Sequence, residues 1–403
     1  MEKIKVAFLG LGMRGPGLLE VTTYFDYVDI TAVCDVFQDR VEKMQDKLVE
    51  LGREKPFGTT DYHEVLKRDD VDMVIISAAW EAHVPMAIDA MRAKKITAME
   101  VGGAYSVDDC WELVKTYEET KTPFVFMENC CYGEDELFVT NMVRKGVLGE
   151  VVFCHGAYGH DLRDEICGGL TSKHYRLRNY IARNCDNYPT HQFGPIAKIL
   201  NINRGNRILS ICTMASKSRG LSEYIKDKKE FDALKDTAFS QGDVVHSLIK
   251  CADGSLITLK LDTTLPRAYS REFTVSGTKG MFSFNGNFCF VDGDDYNHNL
   301  DVNQYMNNAN KYKELYQSKL WKSVTQEDRD KGHGGMDYLM LRDIYQRVLD
   351  GREMPMDVYD AATWMVITVL SENSISKGGA PVEVPDFTHG KWVMRESQDV
   401  AEL

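Results

Sequence analysis

A tyrosine and a histidine lie three residues apart in NCDNYPTHQFGP, residues 184–195, with a proline between them. Both side chains can transfer protons when burial and neighbouring groups tune their pKa values. Pro189 fixes its own φ and biases Tyr188 toward an extended backbone, which would preset the angles of both rings. We therefore expect Tyr188 and His191 to act together on a bound substrate, although most buried Tyr and His side chains are satisfied core residues.

The first residues contain a glycine pattern that could bind a dinucleotide. KIKVAFLGLGMRGPGLLE runs from an apolar strand through Gly10, Gly12 and Gly15 into a helical pattern. This G-x-G-x-x-G spacing allows a tight turn, and the N-terminus of the following helix attracts a pyrophosphate. The next strand ends at Asp35, whose carboxylate could accept ribose hydroxyls and would repel a 2′-phosphate. The pattern predicts NAD rather than NADP; the alternative is a turn and an acid that bind nothing.

Polar or small residues end the other strands predicted in this half. The runs VDMVIISA, ITAME and PFVFME alternate with helical patterns, which is typical of a parallel sheet covered on both faces. Ligands bind such sheets at the carboxyl ends of the strands. We expect the residues there to form the cofactor wall, with helix capping or loop packing as the alternative for any one of them: Ser77, Trp80, His83, Glu100, Val101, Glu128 and Asn129.

The pattern changes after Asn129. Alternating runs such as RILSICTMAS and DVVHSLIKCADGSLITLKLDTT, with ADGS and GTKG turns, predict a mostly antiparallel sheet. We expect long loops with a short helix near KYKELYQSKLW between Gly286 and Trp321, and two strong helices after them. The predicted fold is α/β: an N-terminal Rossmann domain with a doubly wound parallel sheet, residues 1–129, and a C-terminal α+β domain with a mostly antiparallel sheet, residues 130–403.

Composition argues against several kinds of partner. The net charge of −13 repels phosphate backbones and anionic lipids, and apolar runs such as VDMVIISAAW are shorter than the roughly 20 residues that span a bilayer. We expect no nucleic acid or membrane binding. The ten cysteines lack CxxC or His/Cys ligand spacing, which predicts reduced thiols, no metal site and a cytoplasmic location. The apolar N-terminus runs into the glycine turn and is interpreted as a strand rather than a leader. We also expect a homo-oligomer.

Several motifs together resemble a known family. The first half resembles the glucose-fructose oxidoreductase and inositol dehydrogenase-like superfamily. Within that superfamily, the chain resembles the NAD-dependent branch, glycoside hydrolase family 109. The motifs that carry this resemblance are GMRG, MENCCYGEDEL, GAYGHDLR, NYPTHQFGP, INRGNR, SKSRGL and GHGGMDY. The likeness covers nearly the whole chain, and YPTH and GHGGMDY are its specific parts. Superfamily dehydrogenases usually carry Glu-Lys-Pro where this chain has MEVGG, so Val101 stands at the position of the lysine, as in the hydrolase branch.

The resemblance implies a glycosidase that recycles NAD. Family 109 enzymes are thought to oxidise the sugar 3-hydroxyl, eliminate the aglycone after C2 deprotonation, add water to the enone and return the hydride. This chemistry needs proton-transfer groups near C2, C3 and the leaving oxygen rather than two carboxylates flanking the bond. The implied substrate is a small-molecule glycoside, an N-acetylhexosaminide, with an α-N-acetylgalactosaminide as the first choice.

The resemblance also implies residue roles. Its NAD contacts match Met13, Arg14, Asp35, Trp80, Glu81, Ala82, His83, Glu100, Val101 and Asn129. Its substrate contacts match Tyr158, Arg176, Tyr188, Pro189, Thr190, His191 and Tyr269. Tyr158 rivals Tyr188 and His191 for proton transfer, and Glu128 and His160 are further candidates. His333 could equally cap a helix or reach the sugar.

Two other functions remain as alternatives. The first is an NAD-dependent sugar or cyclitol dehydrogenase that releases NADH, which the missing lysine disfavours. The second is a non-catalytic sugar- or nucleotide-sensing protein, which the intact Tyr188 and His191 disfavour. Gln192, Phe193 and a short segment between Asp161 and Arg176 depart from the family pattern, and we expect them to reshape the pocket.

Overall fold

The computed structural model describes residues 3–295 and 301–403. The strands are β1 (Ile4–Leu9), β2 (Val28–Cys34), β3 (Phe57–Thr59), β4 (Met73–Ile76), β5 (Ile96–Glu100), β6 (Phe124–Met127), β7 (Val151–Gly159), β8 (Ile208–Ala215), β9 (Val244–Cys251), β10 (Leu256–Asp262), β11 (Thr274–Gly277), β12 (Gly280–Ser283), β13 (Phe288–Val291) and β14 (Val382–Glu383).

The α-helices are α1 (Arg14–Thr22), α2 (Gln38–Glu50), α3 (Tyr62–Leu66), α4 (Trp80–Arg92), α5 (Val107–Thr120), α6 (Glu134–Arg144), α7 (Arg163–Ser172), α8 (Arg176–Ala182), α9 (Thr190–Ile199), α10 (Gly220–Ile225), α11 (Ala309–Tyr316), α12 (Lys319–Lys322), α13 (Gln326–Arg329), α14 (Met336–Asp350) and α15 (Val358–Ser376). Short 3₁₀ segments lie at Asn129–Tyr132, Lys229–Leu234, Val302–Tyr305, His333–Gly335 and Lys391–Val393.

The chain divides into two compact units. The first comprises the described part of Met1–Tyr132 together with Val324–Ala362, and the second comprises Gly133–Ser323 with Thr363–Leu403. The sequence predicted domains of residues 1–129 and 130–403. In the structure, residues 324–362 belong to the first unit instead of the second. The cause is α14, which packs on α1 and β1. Its buried Tyr345 bonds the Thr22 hydroxyl at 2.8 Å.

The sheet of the first unit is parallel throughout its described pairings. Its strand order is β3-β2-β1-β4-β5-β6, which is the Rossmann order. Every residue of β4 and of β6 is buried, as expected of strands covered on both faces. The predicted doubly wound parallel sheet is confirmed, and its carboxyl edge carries the ends of β1, β2, β4, β5 and β6.

The sheet of the second unit has the order β13-β12-β11-β7-β10-β9-β8-β14. β7 and β10 pair in parallel and the other described pairs are antiparallel. Along β9, residues alternate between buried and more exposed positions, so this strand buries one face. The mostly antiparallel prediction is confirmed. The helix expected near KYKELYQSKLW is present as α11 and α12; residues 296–300 of the predicted loop lie outside the described residues.

Two further expectations concern thiols and membranes. Nine of the ten cysteines are buried, as expected of small apolar side chains in a core. Among the helices of the two described ranges, none is long and apolar enough to cross a bilayer.

Candidate active site

The turn between β1 and α1 is built for close backbone packing. Gly10 has a φ of +100°, and a Cβ there would lie 2.5 Å from the Ala78 nitrogen. A Cβ at Gly15 would lie 2.1 Å from the Gly10 carbonyl oxygen. Ser77 Oγ donates to that same oxygen at 2.8 Å. Only glycine fits such contacts, and a turn of this kind before a helix N-terminus offers the backbone N–H donors that a pyrophosphate requires.

Asp35 lies directly after β2 and is almost fully buried. Its Oδ2 accepts the Leu11 N–H at 2.7 Å, and its Oδ1 accepts the Phe37 N–H at 3.0 Å. Arg40 Nη1 lies 3.5 Å from Oδ2. The carboxylate is therefore fixed against the glycine turn, and its remaining acceptor capacity suits the hydroxyls of a ribose.

An apolar, uncharged wall follows β4 and β5. Burial lowers the pKa of His83 to about 4, so its ring is neutral at physiological pH. Its Nε2 lies 3.0 Å from the Ala78 carbonyl oxygen, which requires the proton on Nε2. Trp80 packs on Gly102, where a Cβ would lie 2.5 Å from Trp80 Cδ1. Val101 is buried and, as the sequence indicates, offers no proton at the position of the usual lysine.

A charged network crosses the carboxyl edge of the parallel sheet. Arg14 Nη1 and Nη2 donate to the two carboxylate oxygens of Asp337 at 2.6 and 2.8 Å, and its Nε donates to Glu100 Oε1 at 2.8 Å. Asn129 Nδ2 donates to Asp337 Oδ1 at 2.8 Å, and His333 Nδ1 lies 2.7 Å from Oδ2. The predicted NAD contacts Arg14, Glu100 and Asn129 are thus brought together by an aspartate that the sequence analysis missed.

The pKa values of Glu100 and Asp337 are shifted in opposite directions, although both carboxyls contact the Arg14 guanidinium. Burial raises the pKa of Glu100 even though Arg14 opposes it. Burial acts in the same direction on Asp337, but the bidentate Arg14 contact and His333 outweigh it and hold the pKa of Asp337 below its usual range. His333 therefore contacts a carboxylate in the first unit rather than capping the next helix with its side chain.

The remaining predicted residues of the first unit have simple positions. Glu128 is fully buried after β6, and its Oε1 accepts the Cys130 N–H at 3.0 Å. Its role in proton transfer stays a prediction. Gly12 and the exposed Met13 lie in the glycine turn, and the exposed Glu81 and half-buried Ala82 lie in the first turn of α4.

In the second unit, α9 lies close against β7. The helix begins at Thr190, with Pro189 at its N-cap, where the fixed φ of proline suits a helix start. A Cβ at Gly156 of β7 would lie 2.6 Å from the Gln192 carbonyl oxygen, so this glycine allows the close approach. Because alternate residues of a strand share a face, Gly156 and Tyr158 both face α9.

Two tyrosine–histidine pairs meet between β7 and α9. The Tyr158 hydroxyl lies 3.3 Å from His160 Nδ1, and the Tyr188 hydroxyl lies 3.4 Å from His191 Nε2. The ring centroids of the two tyrosines are 4.9 Å apart, and that of His191 is 5.4 Å from that of Tyr158. The structure therefore brings together the predicted proton-transfer residues Tyr158, His160, Tyr188 and His191.

The protonation of one pair follows from its surroundings. Burial raises the pKa of Tyr158 well above its ordinary value, against the opposing charge of Arg176. Burial lowers the pKa of His160, so its imidazole is neutral at physiological pH. Tyr158 is therefore a neutral phenol beside a neutral imidazole, whose Nδ1 can accept a hydrogen bond from the phenol when the ring proton is on Nε2.

Arg176 borders the tyrosines with a fixed guanidinium. Its side chain is largely buried, and its Nε lies 2.8 Å from Glu165 Oε1. Its Cζ lies 4.9 Å from the ring centroid of Tyr188, within the range of a cation–π contact. Glu165, which no motif singled out, thus orients a predicted substrate contact.

Tyr269 is the most exposed member of this cluster, at 47%. Its ring meets that of His160 edge-on with centroids 5.1 Å apart. Arg271 Nη1 donates to its hydroxyl at 3.2 Å, and Arg271 Nε donates to the buried Glu136 at 2.7 Å. An ion pair thus holds the hydroxyl of Tyr269, while the exposed ring remains available to a ligand. Pro189 and the fully buried Thr190 support the cluster from the start of α9.

The first unit defines the protein as an NAD-binding protein of the oxidoreductase type. Residues 4–128 match the model "Oxidoreductase family, NAD-binding Rossmann fold", in agreement with the glycine cradle. Residues 132–394 match "Glycosyl hydrolase 109, C-terminal domain". The chain belongs to glycosyl hydrolase family 109, and its cofactor is NAD. The family and cofactor expected from the sequence are confirmed.

Two curated relatives are similar in sequence to this chain over nearly its whole length. An alpha-N-acetylgalactosaminidase of Tannerella forsythia is 36% identical over 98% of this chain and 88% of its own length. An alpha-N-acetylgalactosaminidase of Shewanella oneidensis is 37% identical over 97% of this chain and 86% of its own.

Solved structures share the fold at low identity. A levoglucosan dehydrogenase in complex with NADH and levoglucosan has a TM-score of 0.71 at 15% identity, covering 95% of this chain and 100% of that one. An NAD binding oxidoreductase from Klebsiella pneumoniae has a TM-score of 0.69 at 16% identity, covering 95% and 99%. These structures share the architecture of this chain.

Proposed function

We propose that this chain is an NAD-dependent α-N-acetylgalactosaminidase that cleaves its substrate by elimination and water addition. The observation that carries the proposal is the pairing of Tyr158 with His160 and of Tyr188 with His191. Elimination at C1 and C2 requires one group that accepts the C2 proton and one that protonates the leaving oxygen. The curated relatives named alpha-N-acetylgalactosaminidase support the choice of sugar.

NAD, when bound, supplies a reversible hydride acceptor for the sugar C3–H, which makes the C2 proton acidic while C3 is a ketone. The residues that would hold it are Gly10, Gly12, Met13, Arg14, Gly15, Asp35, Ser77, Trp80, Glu81, Ala82, His83, Glu100, Val101 and Asn129. The turn fits this group because Gly10 and Gly15 leave no room for a Cβ, so the backbone can close tightly before the N-terminus of α1.

Each tyrosine–histidine pair would hold or deliver one proton. One pair takes the proton from C2 as the C1–O bond breaks, and the other protonates the departing oxygen. Water then adds at C1 and gives its released proton to the second pair, while the first pair returns its proton to C2, so both pairs finish in their starting states. Arg176, fixed by Glu165, would orient the sugar beside Tyr188, and Tyr269 would contact it from the exposed side.

The sugar or cyclitol dehydrogenase remains the second candidate. Both candidates oxidise the sugar at C3, but buried Val101 stands where superfamily dehydrogenases usually carry a lysine, so the chain departs from the dehydrogenase pattern there. The two candidates differ in product: a glycosidase releases an aglycone with NAD unchanged, whereas a dehydrogenase accumulates NADH.

The test is a panel of nitrophenyl glycosides, with nitrophenol and NADH absorbance read separately. We expect nitrophenol release from the α-N-acetylgalactosaminide without NADH accumulation. In deuterated water the released sugar should carry deuterium at C2, because the abstracted proton exchanges before its return. Net NADH formation would favour the dehydrogenase, and the absence of both signals on every glycoside would favour the sensing protein.

Location and assembly belong to the same proposal. The mostly buried cysteines support a cytoplasmic location, the net charge of −13 disfavours nucleic acid partners, and we propose in addition that the chain forms a homo-oligomer. Light scattering coupled to size-exclusion chromatography would measure the oligomeric state, and a monomer would contradict this part of the proposal.

A further inference from the structure

A buried carboxyl lies beneath the segment that carries Tyr188 and His191. Asp186 is 1% exposed. Gln192 Nε2 donates to its Oδ1 at 3.2 Å and to its Oδ2 at 3.1 Å. The Tyr188 backbone N–H also donates to this carboxyl. The side chains of Asp186 and Gln192 therefore close a ring that contains both Tyr188 and His191.

The backbone of Asp186 is anchored to α15. Its N–H donates to Ser371 Oγ at 2.9 Å, and its carbonyl oxygen accepts the Thr368 hydroxyl at 2.7 Å. Gln192 is held from the other side by the contact of its carbonyl with Gly156. Both ends of the ring are thus attached to rigid elements, which is what a fixed angle between two reacting side chains requires.

Stability alone does not explain this carboxyl. Its partners are an amide and a backbone N–H rather than a cation, and burial raises its pKa to about 7. A buried acid without a counter-charge costs folding free energy relative to an apolar side chain. The contact gives a defined geometry to the turn between Tyr188 and His191, which an apolar pair would not.

We propose that Asp186, together with Gln192, is a positioning residue that fixes the Tyr188–His191 pair for proton transfer. The inference rests on the proposed function of that pair. Neither Asp186 nor Gln192 needs to touch the substrate; they act by holding the Tyr188 backbone and the first turn of α9. Loss of the clamp should then lower kcat far more than it changes KM, because ground-state contacts of the sugar remain.

The test uses the NAD-loaded full chain and methyl α-N-acetylgalactosaminide, because an activated aryl leaving group would hide the loss of an acid. Asp186→Ala should lower kcat about 10- to 100-fold, the effect of a reacting group displaced by roughly 1 Å, with KM within about 3-fold. Asp186→Asn should recover most of that loss. Gln192 Oε1 is buried without a partner among the described atoms, so rotation of its amide can present an acceptor to the new amide group.

A second substitution and a control keep the test decisive. Gln192→Met removes the other side of the clamp at similar length, and it should lower kcat several-fold even if Asp186→Ala does not fold. Asp243→Asn is the matched control: its buried carboxyl accepts the Arg219 and Gly220 N–H groups at 2.7 and 2.9 Å outside the cluster. It should lower the melting temperature and leave kcat unchanged.

The outcomes separate the inference from the function on which it rests. If Tyr188→Phe loses activity while folded Asp186→Ala or Gln192→Met keeps the parent kcat, the inference is wrong and the function stands. Equal losses in Asp186→Ala and Asp186→Asn, or a matching kcat loss in Asp243→Asn, would also overturn it. A parent protein without glycosidase activity would overturn both.

Discussion

Asp337→Asn should destabilise the first unit by about 2 to 3 kcal/mol. The substitution keeps the shape of the side chain and removes its charge. Two hydrogen bonds from Arg14, one from Asn129 and one from His333 end on this carboxylate. Breaking one side of a buried ion pair costs roughly 3 to 5 kcal/mol. The expected loss for Asp337→Asn is smaller than this range because the Arg14 side chain is 27% exposed and can rehydrate. Asparagine also retains one acceptor oxygen.

The measurement is equilibrium unfolding of the NAD-free protein in urea, followed at pH 7 and at lower pH. The pKa of Asp337 is lowered in the folded state, so its contribution is present above the unfolded value of 3.8 and is lost as pH falls below it. The difference between parent and variant should therefore shrink as pH falls below about 4.

Asp70→Asn is the matched control for this variant. Arg68 donates to both oxygens of Asp70 at 2.7 and 2.6 Å, the same bidentate geometry, but the two side chains are 31% and 44% exposed. An exposed pair contributes about 0 to 1 kcal/mol. Equal losses in the two variants would refute the argument that burial gives the Asp337 contact its strength.

Three further predictions concern other parts of the structure. Tyr188→Phe and His191→Ala should each retain bound NAD and lower kcat about 10²- to 10⁴-fold; an activated aryl glycoside should rescue only the variant that lacks the acid, and parent-like rates on unactivated substrate would move the search to Tyr158 and His160. Gly15→Ala should lose bound NAD and stability because its Cβ meets a carbonyl oxygen at 2.1 Å, whereas Gly17→Ala, with nothing within 4 Å, should be neutral or stabilising; retained NAD in Gly15→Ala would contradict the cradle. From pH 5 to 7 the parent should lose about 2 kcal/mol of unfolding free energy relative to Asp186→Asn, because in this window Asp186 keeps its proton when folded and releases it when unfolded; parallel pH curves in urea unfolding would show that the carboxyl is not desolvated.

Local sequence patterns were sufficient to predict the parallel sheet and its glycine turn. The strand-to-helix transition around Gly10 and Gly15 has a local steric cause, and the structure shows the contacts that the spacing predicts. The same holds for Tyr188 and His191, because three residues across a helix start are close in any fold. Their proximity needed no tertiary information.

The return of residues 324–362 to the first unit could not be predicted in this way. The apolar residues of α14 have the same helical period whichever partner they cover. That α14 packs against α1 depends on long-range fit, such as the contact of Tyr345 with Thr22. Asp337 was missed for the same reason, since its partner Arg14 lies more than three hundred residues earlier in the chain.

The pairing of Tyr158 with His160 could have been predicted from the sequence. Tyr158 and His160 are two residues apart at the end of a strand, and alternate strand residues share a face. YGH therefore placed a phenol and an imidazole side by side as directly as YPTH did. What the sequence could not give is the clamp beneath them: Asp186 and Gln192 are polar residues in a segment whose burial becomes evident only when β7, α9 and α15 are packed together. The effect of Gln192 on the shape of the pocket stays a prediction, and the structure shows that its side chain bonds a buried carboxyl. A residue can thus leave a family's pattern at a site and still hold that site's reacting groups in place.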